Sequence, residues 1–188
     1  MFLTETAPAP EGPVPLARFR EHLRLAEGFA EDSAEDALLT HFLATATAEV
    51  ERRTGQALVA RGFLLRVAAW DRTGCLTLPV GPVATIESLS FTGSGDPLDQ
   101  STDGLCLAPG TTGQRLSAAG GLPPIPAGRV AELRFTAGYG AASAVPADLG
   151  YAVLLLAARH FSDRDAEAKP GLPAPVAALL DPHRRVRI

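Results

Sequence analysis

The sequence lacks any long hydrophobic run. A membrane-spanning helix needs about 20 consecutive apolar residues, whereas the longest apolar stretch, Leu149 to Ala158, has ten residues. The segment FTAGYG, residues 135–140, differs by one residue from the TVGYG loop of potassium-channel filters, but such a filter needs spanning helices around it. The short apolar runs therefore exclude a pore. The N-terminus also has no basic region followed by an apolar core, so we expect no signal peptide and a protein that stays in the cell that makes it.

Cysteine is scarce as well. Cys75 and Cys106 are the only two, and each stands alone in a β-like stretch. Nothing in the sequence indicates an oxidising compartment, so we expect two buried free thiols rather than a disulfide.

Positive charge is in deficit. The chain has 17 Lys and Arg against 21 Asp and Glu, which gives a net charge of −4 at pH 7. Because nonspecific binding to nucleic acid needs a basic patch, this balance disfavours a DNA-binding module. The charge is also uneven: residues 1–55 hold ten acids and five arginines, while the last five residues, RRVRI, hold three arginines. One end of the chain therefore repels anions and the other attracts them.

The motifs of metal, nucleotide and catalytic sites are incomplete. DQSTDG, residues 99–104, resembles the first half of a calcium loop, but Gly110 stands where the bidentate Glu belongs, so a turn is predicted. GSGDPL, residues 93–98, lacks the third glycine of a dinucleotide motif and predicts a hairpin turn. No serine or cysteine has a nucleophile context, and none of the histidines has a partner at metal-ligand spacing: His22, His41, His160 and His183. We expect no catalytic residue, no metal site and no cofactor.

Helical periodicity appears in the first and last thirds of the chain. Pro15 starts a short helix, and residues Ser33–Gly55 form a second one, with a capping serine at its start, an apolar stripe and a glycine stop. Pro146 begins a third helix that is apolar nearly all round, and a fourth begins at Pro173 or Pro175.

Between the helices the hydrophobic period changes to two. FLLRVAAW, CLTLPV, VATIESLSF and RVAELRF predict short strands, while residues 93–128 predict mostly turns because GGLPPIPAG is too rich in proline for a central strand. The predicted fold is α+β: a small helical bundle of two N-terminal and two C-terminal helices with an inserted β-strand subdomain. Its expected parts are a flexible arm (1–13), the N-terminal helices (14–58), the β-rich insertion (59–140), the C-terminal helices (141–181) and an extended tail (182–188).

The last five residues of the tail, RRVRI from Arg184 to Ile188, have two interpretations. One is a frayed, solubilising end. The other is a detachable anchor, in which Val186 and Ile188 bury against a partner while Arg185 and Arg187 meet its acidic groups.

The order of these features resembles the head–tail connector (adaptor) proteins of long-tailed phages, in the longer variety with a β insertion, which also occur in phage-derived gene transfer agents. The resemblance rests on LARFREHLRL, DALLTHFLATATAEVERRTGQAL, FLLRVAAW, LPVGPVATIESLSF and VAELRFTAGYGAASAVPADLGYAVLLLAARHFSDR. It covers residues 14 to about 165, and ERRTGQAL followed by FTAGYG and VP is its most specific part.

The resemblance implies a structural protein rather than an enzyme. It implies a ring of subunits, twelvefold by expectation, that docks beneath the capsid portal, extends the DNA channel and offers its far face to a stopper or tail protein. DNA would pass without sequence-specific binding, no membrane would be involved, and the place would be the neck of a phage or phage-like particle assembled in the bacterial cytoplasm. In such rings the C-terminal segment commonly reaches into the portal, which fits an anchor at Arg184–Ile188. Acids such as Glu31, Asp32 and Glu35 are candidates for the channel lining.

Two alternatives stay open. One is a stopper or tail-completion protein of the same neck, a class that is often mostly β. The other is a small-molecule-binding domain or enzyme, since missing motifs are only negative evidence.

The glycines of FTAGYG receive a structural interpretation. The strand that ends at Phe135 must leave its sheet and lead into the third helix, and Gly138 and Gly140 permit backbone angles that other residues resist. With Tyr139 packed between strands and bundle, and Pro146 at the start of the helix, the segment is predicted to be a hinge-like structural joint.

Overall fold

The computed structural model describes residues 1–25, 33–110, 113–163 and 171–184. The chain divides into two units: a strand unit with Met1–Pro10 and Gly55–Gly138, and a helical unit with Glu11–Thr54 and Tyr139–Arg184. Helices therefore flank a block of antiparallel strands along the chain, which confirms the predicted α+β class.

Four helices form the described part of the helical unit. They are α1 (Leu16–Leu23), α2 (Ser33–Thr54), α3 (Ala147–Ser162) and α4 (Ala174–Leu180), with 3₁₀ turns at Ala142–Ala144 and Asp181–His183. α2 packs along α3, where the rings of Phe42 and Phe161 meet edge to face with centroids 6.2 Å apart. α1 and α4 both pack against this pair, which makes the unit a small bundle.

The helix ends follow from local chemistry. α2 ends before Gly55, whose φ of +68° stops the helix as its glycine predicts. Pro146 and Pro173 precede their helices with extended backbone instead of forming the first turn. α3 is covered on several sides, as its apolar surface requires, and its buried residues are Leu149, Ala152, Val153, Leu154, Leu156 and Ala157.

The described strand unit holds two antiparallel sheets. Its strands are β1 (Phe2–Glu5), β2 (Arg61–Val67), β3 (Leu76–Thr77), β4 (Val83–Gly93), β5 (Leu98–Gln100), β6 (Leu105–Gly110), β7 (Gly113–Ala118) and β8 (Arg129–Ala137). One sheet has the order β1-β2-β8-β4-β5 and the other β3-β7-β6.

β8 is the central strand of the five-stranded sheet and pairs with β2 on one side and β4 on the other. Because alternate side chains of a strand share a face, Leu133 lies in one buried row with Leu65 and Leu89. Phe135 lies opposite Phe63, and their stacked rings have centroids 5.6 Å apart. The three-stranded sheet contributes to the same core through Leu76 and Leu116.

The expectation of a flexible arm over residues 1–13 is wrong for its first part. Phe2–Glu5 form β1, which pairs with β2, and Leu3 packs against the core. Glu5 also makes an ion pair with Arg61 at 2.8 Å. A strand of four residues at a chain end is too short to show a period, and its order comes from the backbone groups that β2 offers to it.

The interpretation of residues 93–128 as mostly turns is also wrong. β5 extends the five-stranded sheet, and β6 and β7 form a hairpin. These strands are short and rich in Gly, Pro and polar residues, so their pairing with neighbours, rather than their own pattern, decides their conformation. The GSGDPL turn does connect two hairpin strands, β4 and β5, and the proline-rich stretch 120–128 contains no strand, as predicted.

The prediction that both cysteines are buried is wrong. Cys75 and Cys106 are free thiols, but Cys75 is half-buried and Cys106 is exposed. Cys106 lies on β6, an edge strand of the three-stranded sheet, where alternate side chains face away from the core.

A substitution at Gly138, the last residue of the strand unit, tests whether this position requires glycine. Its φ is +131°, and a Cβ there would lie 2.5 Å from the backbone N and Cα of Ala60. We expect Gly138→Val to lower the free energy of unfolding by roughly 3 kcal/mol or more, because backbone strain and overpacking both contribute. Urea denaturation measures this loss.

Two other glycines separate the two contributions. Gly104 has φ +80° with nothing within 4 Å of an added Cβ, so Gly104→Ala isolates backbone strain and should cost about 1 kcal/mol. Gly120 has open space and no positive φ, so Gly120→Ala should change little. Unchanged stability in Gly138→Val would contradict the close approach to Ala60.

Candidate functional site

The base of the C-terminal tail is fixed to the start of α3. Asp181–His183 form a 3₁₀ turn directly after α4, and His183 Nε2 lies 2.6 Å from Asp148 Oδ2 in the first turn of α3. The predicted extended tail from residue 182 therefore starts later, because Pro182 lies in the first turn of this 3₁₀ helix, a position that suits proline. Extended backbone begins at Arg184, with φ −72° and ψ 134°.

Asp148 interacts with both His183 and Tyr139 at this end of the helical unit. The hydrogen bond from His183 lowers the pKa of the Asp148 carboxyl, and the backbone N–H of Leu149 also donates to Asp148 Oδ1 at 2.9 Å. Negative charge in the first turn is stabilised by the helix dipole. Burial raises the pKa of Tyr139, and the negative charge of Asp148 raises it further.

Arg184 is the one residue of the predicted portal anchor that lies among the described residues. Its ion pair with Asp181 spans 3.4 Å, and the two side chains are 66% and 64% exposed. An exposed pair of this kind contributes little, so the guanidinium is available to a partner. The other predicted anchor residues, Arg185, Val186, Arg187 and Ile188, lie outside the described residues.

The residues of the predicted joint stand at the boundary between the two units. Gly138 is the last residue of the strand unit and Tyr139 begins the following segment of the helical unit. Gly140 also has a positive φ, +117°. Downstream of it, the backbone N–H of Ala142 donates to Glu11 Oε1 at 3.1 Å.

The structure brings the joint and the base of the tail together in a way that the sequence did not predict. Tyr139 and His183 both interact with Asp148, although 35 residues separate Asp148 from His183. The only local signal was an acid in the first turn of a helix starting near Pro146. Nothing in the spacing indicates His183 as its partner.

The other sequence candidates form turns. Asp103 N–H donates to Ser101 Oγ at 3.0 Å in the calcium-like loop, and no group of three or more His, Cys, Asp or Glu side chains in the described ranges could hold a metal ion. Of the candidate channel acids, Glu31 and Asp32 lie outside the described residues, and Glu35 lies half-buried in the first turn of α2. Within the described part of the chain, no helix has the length and apolar content needed to span a membrane.

A well-defined acidic turn that the sequence did not indicate lies before β3. Asp71 Oδ1 accepts hydrogen bonds from the Thr73 hydroxyl and from the backbone N–H of Cys75, at 2.6 and 2.9 Å. The Thr73 hydroxyl is the largest cause that holds the pKa of Asp71 well below its usual range. Arg115 on β7 pairs with the second oxygen at 3.0 Å. These contacts satisfy the carboxylate within the turn, so its role is structural.

Comparison with known proteins gives matches among solved structures. Neither a protein-family profile nor a curated protein matches the chain. A chain in the neck of an empty gene transfer agent (GTA) particle, computed with C6 symmetry, is 42% identical with a TM-score of 0.89. A chain in the virion of a native GTA particle is 42% identical with a TM-score of 0.86. A chain in the neck of a native GTA particle, computed with C12 symmetry, is 39% identical with a TM-score of 0.80. Each alignment covers 100% of this chain and 97% of the other.

The contact between Asp148 and His183 predicts a pH-dependent contribution to stability. A carboxyl whose pKa is lower in the folded than in the unfolded state stabilises the fold above its unfolded pKa of about 4, and this stabilisation is lost as the pH falls through the folded pKa. We expect Asp148→Asn to cost about 1 kcal/mol at pH 7, because it weakens a partly exposed, charge-assisted hydrogen bond. The difference in free energy of unfolding between this variant and the unsubstituted protein should shrink below about pH 4. Urea denaturation at several pH values measures it.

Asp181→Asn is the matched control. Asp181 lies on the turn that carries His183, but its carboxylate forms a solvent-exposed ion pair with Arg184. Its substitution should therefore change stability little. The assigned role of the carboxylate would be contradicted if the difference in free energy of unfolding between Asp148→Asn and the unsubstituted protein stayed constant from pH 7 to below pH 4.

Proposed function

Since the chain belongs to the neck proteins of gene transfer agent particles, we propose that it is the head–tail adaptor of such a neck. In this role, copies of the chain form a ring beneath the capsid portal, which extends the DNA channel and presents its far face to a stopper or tail protein. The observation that carries the proposal is end-to-end similarity, 42% identity over 100% of this chain and 97% of a neck chain.

The ring is supported by the symmetry of the similar structures. The two neck structures were computed with C6 and C12 symmetry. Cyclic symmetry repeats one subunit around an axis, and twelve copies satisfy both symmetries. We therefore propose a ring of twelve subunits.

The helical unit favours an adaptor over a stopper or tail-completion protein. Stoppers are expected to be mostly β, whereas this chain has a bundle in which α2 alone spans 22 residues. The adaptor role needs no catalytic residue.

The tail supplies the proposed contact with the portal. The bond between His183 and Asp148 fixes the 3₁₀ turn at the base of the tail, and Arg184 follows this turn with extended backbone. Arg184–Ile188 then offer three guanidinium groups and two apolar side chains to a partner. An extended segment of this composition suits a groove with acidic walls and an apolar floor.

The joint at Gly138–Gly140 supplies the proposed change from strand to helix. It lies where the chain passes from the strand unit to the helical unit, and both glycines adopt positive φ. Glycine adopts positive φ without the steric cost that other residues have, so it suits a place where the chain must turn within two or three residues. We propose that Tyr139 and Pro146 complete this joint as a structural element with no catalytic role.

The net charge of −4 agrees with a channel through which DNA slides. A lining without a basic patch does not bind phosphates strongly. DNA would therefore pass without sequence-specific contacts.

The proposal predicts a direct complex with the portal. The purified protein mixed with portal from the same particle should co-elute with it in gel filtration, and electron microscopy should show a ring beneath the portal. A stopper would instead bind only after an adaptor ring is in place. Absence of a complex with the portal alone would therefore overturn the adaptor role.

Deletion of Arg184–Ile188 tests the anchor. We expect folding to be intact, because the contact between His183 and Asp148 remains, and attachment to the portal to weaken by roughly tenfold or more, since burial of one apolar side chain already exceeds 1.4 kcal/mol. Thermal unfolding checks the first expectation and surface plasmon resonance on immobilised portal checks the second.

Two paired variants identify which part of the tail binds. Val186→Ser with Ile188→Ser removes the apolar contribution, and Arg185→Gln with Arg187→Gln removes charge. Only the charge variant should lose the salt dependence of attachment. Full attachment after deletion of the whole tail would refute the anchor while leaving the adaptor role to the portal experiment.

A further inference from the structure

The exposed apolar side chains of the strand unit lie at the two free edges of its larger sheet. Five large hydrophobic residues of the described part of the chain are exposed, and three of them belong to these edges. Phe2 on β1 is 63% exposed and Met1 before it 74% exposed, while Leu98 on β5 is 43% exposed. Single exposed apolar residues are common, but their placement on both unpaired edges of one sheet indicates a surface that meets another chain.

The backbone of β1 is open on its outer side. Thr6 N–H donates to Gly62 O at 3.0 Å, so Thr6, Thr4 and Phe2 form the hydrogen-bonded pairs with β2. Leu3 and Glu5 lie at the alternate positions, where the N–H and C=O groups point away from β2. Among the described residues no strand lies on that side, so the edge can accept another strand.

Among the described residues, no strand pairs with β5 on the side away from β4. Gln100 Nε2 lies 3.1 Å from the carbonyl oxygen of Asp99 and 3.4 Å from that of Leu98. A side-chain amide that bonds its own strand can be displaced by the N–H groups of an added strand, which offer the same donors in regular spacing.

The two edges are different surfaces, and this difference selects the kind of assembly. A twofold dimer uses one patch on both subunits, whereas a ring repeats a contact between two different patches. β1 and β5 stand at opposite ends of the same sheet, four strand spacings or about 19 Å apart. Each copy therefore carries one edge of each kind, as a ring requires.

We propose that neighbouring copies in the ring join through these edges, with β1 of one copy added to β5 of the next. This inference rests on the proposed ring. Leu3 lies opposite buried Leu65, and Leu98 lies opposite buried Phe91, so both side chains face the core side of the sheet. In the joined sheet, Leu98 therefore covers Leu3 and Met1 of the neighbour, and the apolar rows continue across the contact.

The short lengths of β1 and β5 explain why the contact between neighbouring copies forms only during assembly. β1 has four residues and β5 has three, so one contact contains only a few hydrogen bonds. Short edge strands resist uncontrolled pairing, and a weak contact becomes effective when many copies are held side by side. The free protein is therefore expected to be a monomer that forms its ring on the portal.

Cross-linking between copies tests the proposal. In a background with Cys75→Ser and Cys106→Ser, Leu3→Cys and Leu98→Cys, which lie on the same face of the sheet, are introduced together. The protein is then assembled on the portal, and a short bismaleimide is added. We expect a ladder of covalent oligomers in denaturing gels. Within one copy the two sites are about 19 Å apart, so a short reagent links neighbours only. Either cysteine alone should give no ladder.

The outcomes separate this inference from the adaptor role. A ring on the portal without a ladder would overturn the edge contact and leave the adaptor role intact. Dimers from Leu98→Cys alone would overturn the head-to-tail arrangement, since they would place two β5 edges together. Failure to form any ring on the portal would overturn the adaptor role and this inference with it.

A matched pair of charge substitutions gives a second readout. Leu98→Lys on β5 and Leu38→Lys on α2 alter side chains of nearly equal exposure, 43% and 41%. We expect Leu98→Lys to abolish the ring at a concentration where Leu38→Lys still forms it, with monomer melting temperatures unchanged in both. An equal loss of the ring from Leu38→Lys, or a normal ring with Leu98→Lys, would overturn the assignment to the edges.

Discussion

The register of β2 against β8 is the constraint on which the arrangement of the chain depends. Arg61 lies opposite Ala137, so the beginning of one strand meets the end of another across more than seventy residues of sequence. Gly55 and Gly138, where the chain enters and leaves the strand unit, are tied to the same connection between β3 and β4. Gly81 N–H donates to Gly55 O at 3.2 Å and Gly138 N–H donates to Pro82 O at 2.8 Å. An insertion whose ends lie together can interrupt a helical bundle without separating the helices before it from those after it.

The proposed function depends on the edges of the larger sheet and on the C-terminal tail. Asp148 connects the base of the tail with the joint. Its carboxylate accepts a hydrogen bond from His183 at the base of the tail, and its negative charge raises the pKa of Tyr139 at the joint. A polar contact of this kind fixes the 3₁₀ turn at the base of the tail. The proposed tail contact and the proposed sheet-edge contact use different residues, so substitutions can change portal attachment and contact between neighbours separately.

The helices were predictable because each one carries its own signals. The glycine stop at Gly55, the prolines before α3 and α4 and the apolar stripe of α2 all act within a few residues of the structure that they determine. The strands β2, β4 and β8 were predictable for the same reason, since each is long enough to show a period of two. β1 and β5 to β7 were missed because each has only three to six residues and derives its conformation from the strands that pair with it. The pair of Asp148 and His183 was missed because spacing along the chain carries no information on contacts between distant turns.

The sequence by itself determined the class of the fold, the order of helices and strands, the absence of a long apolar span and the excess of acidic over basic residues. These properties depend on local periodicity, turn chemistry and composition, which the chain carries whatever its surroundings. The tertiary structure decided that Phe2–Glu5 form a strand, that Cys106 is exposed, that Asp148 binds His183 and that β1 and β5 form the two edges of the larger sheet among the described residues. Each of these depends on which backbone groups and side chains meet across long stretches of sequence, and packing of the whole chain fixes that choice.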